Sequence, residues 1–154
     1  MNTIADIPAH PFFVHFIVVL VPLTAILVIL CAVWTAARER LVWLTLVLSV
    51  VLTVLTPLAT EAGQWLEHQQ KDRTPTLHEH TELGDTAIYF VLGLLVVSLA
   101  LAFLHRWGAR LGERRGLAGV VVVVLAVLIG VASIYQIVRI GDSGAHAVWG
   151  SGAS

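Results

Sequence analysis

The stretch GVVVVVLAVLIGVAS, residues 119–133, decides how this chain folds. In a soluble protein its many valines would indicate a buried strand, because β-branched side chains favour strands. The stretch, however, is the centre of an apolar block of about twenty residues, the length that crosses a bilayer. In hydrocarbon a single segment must satisfy its own backbone hydrogen bonds, and only a helix does so. The stretch therefore predicts a membrane-spanning helix.

Three further apolar blocks extend this prediction to the whole chain. The 154 residues are 58% hydrophobic and 12% charged, and the charged fraction is about half that of a typical soluble domain. We expect spans at about 12–36, 41–60, 84–105 and 117–138, with an outer loop at 61–83 and a flexible tail at 141–154. The predicted fold is an all-α integral membrane protein, a single domain of four transmembrane helices in an antiparallel bundle.

The arginines predict how this bundle is oriented. The segments AARER (36–40) and HRWGARLGERRG (105–116) hold six arginines, whereas the other connections hold only Lys71, Arg73 and Arg139. Because positively charged loops remain in the cytoplasm, we expect a bacterial inner-membrane protein with both termini facing the periplasm or exterior. Nucleic acid is not an expected partner, since topology accounts for the arginines. Six of the seven histidines then lie at the outer end: His10, His15, His68, His78, His80 and His146.

The segment HPFFVHF, residues 10–16, places two histidines where the first span begins. Pro11 suits the first turn of a helix, so His10 would lie at the helix N-terminus and His15 about one turn inside. An ionisable side chain within the membrane is costly and is a functional hypothesis by default. We expect His15 to face a ligand inside the bundle, with a neutral interfacial histidine as the alternative, and His10 to act at the rim.

The segment TPTLHEHTELGD, residues 74–85, predicts the start of the third helix. His80 shares a helical face with the small residues Gly84 and Ala87, and small residues allow a neighbouring helix or a flat ligand to approach closely. His80 is therefore expected to point into the bundle. His78 shares a more hydrated face with Glu82.

The end of the second span, PLATEAGQWLEHQQ (57–70), adds polar groups at the same end. Pro57 is expected to kink this helix, and Glu61 and Gln64 follow on one face. Glu61, Gln64 and Glu82 could each hydrogen-bond to a histidine that ligates a metal, as carboxylates near metal sites often do. The single cysteine, Cys31, excludes an intramolecular disulfide and a thiolate metal cluster.

These segments together resemble a family of bacterial membrane proteins known as DUF2231. The resemblance rests on HPFFVHF (10–16), EAGQWLE (61–67), HEHTELGD (78–85) and GDSGAHAVWG (141–150), which occur in the family's order and cover nearly the whole chain. The family's histidines fall on His10, His15, one of His78 or His80, and His146. Some members are joined to Rieske-type iron–sulfur domains, which implies a membrane redox role. With one cysteine this chain lacks the Rieske ligands, so such a domain would be a separate partner.

The favoured functional hypothesis is a small b-type cytochrome that carries electrons rather than catalysing a reaction. Facing helices of a four-helix bundle can hold a haem between inward side chains, and His15 and His80 are the expected axial ligands of one haem b near the outer surface. An iron–sulfur or cytochrome subunit would be its redox partner. The spans hold no histidine deeper than His15 on the outer side, which argues against two stacked haems.

Two alternatives remain open. The outer end could bind a Zn, Cu or Fe ion, because imidazole and carboxylate suit all three metals. The ligands would come from this set: His10, His15, His78, His80 and Glu61. The chain could instead be a non-catalytic subunit that anchors a larger complex in the lipid, alone or as a homodimer.

Overall fold

Four long helices form nearly all of the structure, a computed structural model that describes residues 3–4, 7–69 and 81–149, and side chains over 13–65 and 81–146. The helices are α1 (Ala9–Val33), α2 (Thr35–Gln69), α3 (Ala87–Trp107) and α4 (Arg114–Trp149). Two short paired strands, β1 (Thr3–Ile4) and β2 (Ile7–Pro8), precede α1. Residues 81–85 are helical, and a 3₁₀ turn at Gly108–Leu111 joins α3 to α4.

Each of the four helices is long and apolar enough to cross a membrane. The predicted all-helical membrane fold is therefore confirmed. The valine-rich stretch at 119–133 lies wholly within α4, because a helix pairs its own backbone groups where neither water nor a neighbouring strand can pair them.

The helices surround a common axis in chain order. Helix α1 packs against α2 and α4, α3 packs against α2 and α4, and α1 and α3 meet less extensively across the diagonal. Contacts between neighbours join residues in reverse order along the chain. Ser49 contacts Ser98, whereas Gln64, which lies later in α2, contacts Asp85, which lies earlier in the third span. Antiparallel neighbours give this order.

Small and hydroxylated residues occupy the centre of the bundle. Ser49 and Ser98 are fully buried, and their Oγ atoms are 2.8 Å apart between α2 and α3. Ser49 donates its proton to the carbonyl oxygen of Thr45 at 2.9 Å, so Ser98 is the donor between the helices. Gly130 of α4 allows a close approach to α1. A Cβ atom at this position would lie only 2.8 Å from Ile29 Cδ1.

The turn between the first two spans is shorter than expected. We predicted a connection through 36–40, but α1 ends at Val33 and α2 begins at Thr35. Arg38 makes this turn stable, because its Nε and Nη2 donate to the carbonyl oxygens of Cys31 and Ala32, both at 2.7 Å. These are carbonyls of the last turn of α1, which have no partner within the helix.

Two helices also extend further at the opposite end than expected. Helix α2 continues past Pro57 to Gln69, and α4 continues through Gly141 and Gly144 to Trp149. The segment from residue 141 onward, which was expected to be a flexible tail, is helical as far as residue 149. A glycine costs only about 1 kcal/mol in a helix, and local contacts support the last turns: Ser143 Oγ donates to the carbonyl oxygen of Ile140 at 2.9 Å.

Candidate functional site at the histidine-rich end

A cavity of about 60 Å³ lies at the end of the bundle where α1 begins. We call this the histidine-rich end; it comprises residues 9–18, 56–69, 81–87 and 136–149. All four spans contribute to the cavity wall, which consists of Val14, Ile17, Val18, Thr56, Ala59, Thr60, Gly84, Ala87, Ile137 and Ile140. The wall is almost entirely apolar. The two threonine hydroxyls donate to helix carbonyls one turn earlier, both at 2.8 Å.

His15 does not point into this cavity. Its neighbours Val14 and Ile17 line the wall, whereas the His15 side chain is exposed. The sequence suggested an inward orientation from the apolar neighbours alone, but both sides of α1 are apolar, since one faces lipid and the other the core. Ligation of a cofactor by His15 stays a prediction, and it would require a ligand outside the bundle axis or a rotation of α1.

His10 belongs to the first turn of α1, although its side chain is outside the described part. Because both histidines are helical, their five-residue spacing places them about 140° apart around α1. His10 precedes Val14 by four residues and Ile17 by seven, so it shares the helical register of the cavity wall. Because the two positions lie about 140° apart around α1, one metal ion cannot readily bind both His10 and His15.

On the third span, Gly84 and Ala87 were expected to point into the bundle, and they do. Both residues line the cavity, and Ala87 is buried. His80 and His78, which were expected on this span, lie outside the described residues. His80 precedes Gly84 by four residues in the sequence.

The expected supporting groups lie on the rim rather than in the cavity. Glu61, Gln64 and Glu82 are exposed. Gln64 Nε2 lies 3.1 and 3.3 Å from the two carboxylate oxygens of Asp85, so it ties α2 to the segment before α3. Within the part of the chain that the structure describes, no three His, Cys, Asp or Glu side chains lie close enough to hold a metal ion.

A family comparison bears directly on these segments. The sequence pattern of a family described as predicted membrane protein (DUF2231) matches residues 6–154. This chain belongs to the DUF2231 family. No curated protein and no solved structure matches it. The family that the sequence resembled is thus confirmed.

One polar relay in this DUF2231 protein was missed in the sequence. The buried side chain of Gln136 donates from Nε2 to Thr86 Oγ1 at 2.7 Å, and Thr86 in turn donates to the carbonyl oxygen of Leu83 at 2.6 Å. The relay joins α4 to the turn at the start of α3, directly beside the cavity residue Ala87. A glutamine in an otherwise apolar span was the available signal, since buried amides require partners.

His68 lies in the last turns of α2, outside the part with described side chains. The two other histidines whose side chains are described differ in their settings. His146 of α4 lies at the histidine-rich end, is exposed, and has its Nδ1 2.9 Å from the carbonyl oxygen of Asp142. His105 lies at the opposite end, where its ring meets the edge of Trp43 with centroids 6.3 Å apart. His105 therefore offers a control position for any test of the histidine-rich end.

Proposed function

We propose that this DUF2231 protein is a membrane redox subunit that holds one metal centre at its histidine-rich end. It would carry electrons to or from a partner rather than catalyse a reaction of its own. The supporting observation is that the inward faces of α1 and of the third span converge on one cavity. Four residues before a cavity residue of each of these spans, the sequence has a histidine: His10 before Val14, and His80 before Gly84.

The helical register carries this argument. On α1 the cavity residues Val14 and Ile17 continue a buried stripe through Val21, and His10 precedes Val14 by one turn. On the third span Gly84 and Ala87 line the cavity, and His80 precedes Gly84 by four residues in the sequence. Neutral imidazole is the commonest protein ligand for transition metals. We therefore propose His10 and His80 as the ligand pair, with His15 as the competing choice for α1.

The size of the cavity limits what the centre can be. A haem b, the cofactor that the sequence favoured, does not fit in about 60 Å³, because pockets for ligands of drug size occupy roughly 300–1,000 Å³. A haem would have to stand above the cavity, toward the ends of α1 and the third span. A single Cu or Fe ion at the rim needs no such volume, but it would need further ligands beside the two histidines. A Zn ion has no redox chemistry and would not serve an electron carrier.

The packing in the rest of the bundle supports a metal centre at the histidine-rich end only. The central positions of α2 and α3 are filled by residues such as Leu52, Leu94 and the pair Ser49–Ser98, all fully buried. No charged side chain is buried among the described residues. Electrons would therefore enter and leave at the histidine-rich end, through a quinol in the membrane or an iron–sulfur or cytochrome subunit docked there.

The test is a dithionite-reduced minus air-oxidised optical spectrum, with metal analysis of the same detergent-purified full chain. The proposal expects a bound transition metal that is lost in His10→Ala and in His80→Ala and retained in the control His105→Ala. Sharp reduced α and Soret bands would identify the metal centre as haem b. Retention of the metal in His10→Ala with loss in His15→Ala would move the α1 ligand to His15.

A second candidate is a non-catalytic membrane subunit. It is favoured by the completeness of the packing: among the described side chains, Thr24 Oγ1 is the only buried polar side-chain atom without a hydrogen-bond partner. A protein without metal and with a flat difference spectrum, made in cells supplied with haem and metals, would establish this candidate and overturn the redox proposal.

A further inference from the structure

An open groove of about 530 Å³ lies at the opposite end of the bundle, between the start of α2 and the start of α4. We call this the arginine groove. It is lined by Arg38 and Arg115, by Gly116 and Gly119, and by valines further along α4. We propose that the arginine groove binds an anionic phospholipid, with the phosphate between the two guanidinium groups and an acyl chain along the valines of α4.

The charge of the groove is not neutralised by the protein. Arg38 uses Nε and one Nη2 proton for the carbonyl oxygens at the end of α1, which leaves the Nη1 protons available. The described residues provide no hydrogen bond or ion pair to the guanidinium of Arg115. Two guanidinium groups beside an apolar surface suit a phosphate, which accepts paired N–H donors from arginine. The first turn of α4 adds the positive end of a helix dipole.

The shape of the groove suits an acyl chain. A Cβ atom on Gly116 or Gly119 would meet no other atom within 4 Å, so the space beside both residues is open. From Arg115 to Val124 the helix rises about 14 Å, which is enough for the upper half of an acyl chain below a phosphate at the membrane surface. Along α4, Arg115 is thus followed by the open glycine positions and then by the valines, which is the order of a lipid from headgroup to acyl chain.

A second copy of this chain fits the groove less well. A symmetric dimer would place the same surface of both copies together, and Arg38 and Arg115 of one copy would face the same arginines of the other. Buried like charges oppose such a contact. Basic pockets between membrane helices are known sites for anionic headgroups, so charge complementarity favours the lipid.

The test uses the full chain in neutral detergent micelles, titrated with phosphatidylglycerol, with phosphatidylcholine of the same acyl chains, and with inorganic phosphate. Native mass spectrometry counts the bound lipid. Since each arginine near an anionic headgroup contributes about five-fold in affinity, phosphatidylglycerol should bind more than about ten-fold tighter than phosphatidylcholine. Inorganic phosphate should not compete at comparable concentration.

Two pairs of variants place the site. Arg115→Gln should weaken phosphatidylglycerol binding about five-fold, whereas Arg110→Gln, an exposed arginine outside the groove, should leave binding unchanged. Gly119→Leu should fill the groove and abolish the tight site. Gly141→Leu, at an equally open position on the same helix, should retain it.

Several results would overturn the proposal. Equal binding of both lipids, equal effects of Arg115→Gln and Arg110→Gln, or competition by inorganic phosphate would each contradict a lipid headgroup site. A change from dimer to monomer in Gly119→Leu, measured by light scattering, would make the groove a protein interface instead. None of these results depends on the metal proposal, because the two sites lie at opposite ends of the bundle.

Discussion

The close approach between α1 and α4 at Gly130 gives the sharpest test of the packing. Gly130 lies where a Cβ atom would be 2.8 Å from Ile29 Cδ1, 3.0 Å from Ile29 Cγ1 and 3.4 Å from the carbonyl oxygen of Ala25. The end of Ile29 can move to admit a methyl group, but the backbone oxygen of Ala25 cannot. The larger Gly130→Leu side chain must therefore separate the two helices.

The expected cost of Gly130→Leu is that of overpacking a filled core, about 1–3 kcal/mol. Leucine also improves the helix propensity at this position, by up to about 1 kcal/mol. The same gain applies to Gly141→Leu, where a Cβ atom meets nothing within 4 Å. The difference in unfolding free energy between these two variants thus isolates the packing cost.

Reversible unfolding in mixed micelles of sodium dodecyl sulfate and a mild detergent, followed by circular dichroism, measures this difference. Gly130→Leu should unfold at a lower dodecyl sulfate fraction than Gly141→Leu. The double variant Gly130→Leu/Ile29→Ala should recover part of the loss, because it removes the atoms nearest the new side chain. Identical transitions for Gly130→Leu and Gly141→Leu would refute the close packing of α4 on α1.

Three further predictions concern polar contacts, each measured by the same unfolding assay. Arg38→Lys should cost about 1–2 kcal/mol, because lysine keeps the charge but cannot reach both carbonyl oxygens at the end of α1; an unchanged transition would contradict this cap. Thr86→Val should cost about 1–3 kcal/mol by leaving the buried Gln136 amide without an acceptor, and adding Gln136→Leu should restore part of the loss rather than deepen it. A double-mutant cycle of Ser49→Ala and Ser98→Ala should give a coupling near 0.6 kcal/mol, and zero coupling would mean that no hydrogen bond joins α2 and α3 there.

The membrane fold could be predicted from the sequence because hydrophobic length is a strong constraint. The valine-rich run at 119–133 has one structural solution in lipid, whatever its intrinsic preference. Helix ends were predicted less well. The second and fourth spans were expected to end at about residues 60 and 138, yet α2 continues to Gln69 and α4 continues through Gly141 and Gly144 to Trp149, since a glycine costs only about 1 kcal/mol in a helix.

The site residues stay a prediction, but one feature around them could be predicted. The sequence indicated that the third span turns Gly84 and Ala87 inward, and both residues line the cavity. It could not orient His15, because a membrane helix is apolar toward both lipid and core, so apolar neighbours carry no direction. The buried stripe of α1 at Ile17, Val21 and Val28 provides that direction, and its register continues to His10.

Gln136 was missed for a different reason. Its contact with Thr86 joins positions fifty residues apart in the chain, and such a pairing depends on the order of helices around the bundle. That order also makes α1 and α3 diagonal neighbours. Ligands from these two spans can therefore meet only near the bundle axis, at the end where the cavity opens.

We propose that the chemistry of this DUF2231 protein is concentrated at its histidine-rich end. The metal content per chain, measured on the purified full-length protein and on matched histidine variants, is the decisive test. We expect about one transition-metal ion per chain in the unaltered protein and in His105→Ala, and almost none in His10→Ala/His80→Ala. Equal metal content in all three proteins, or no metal in any of them, would contradict it.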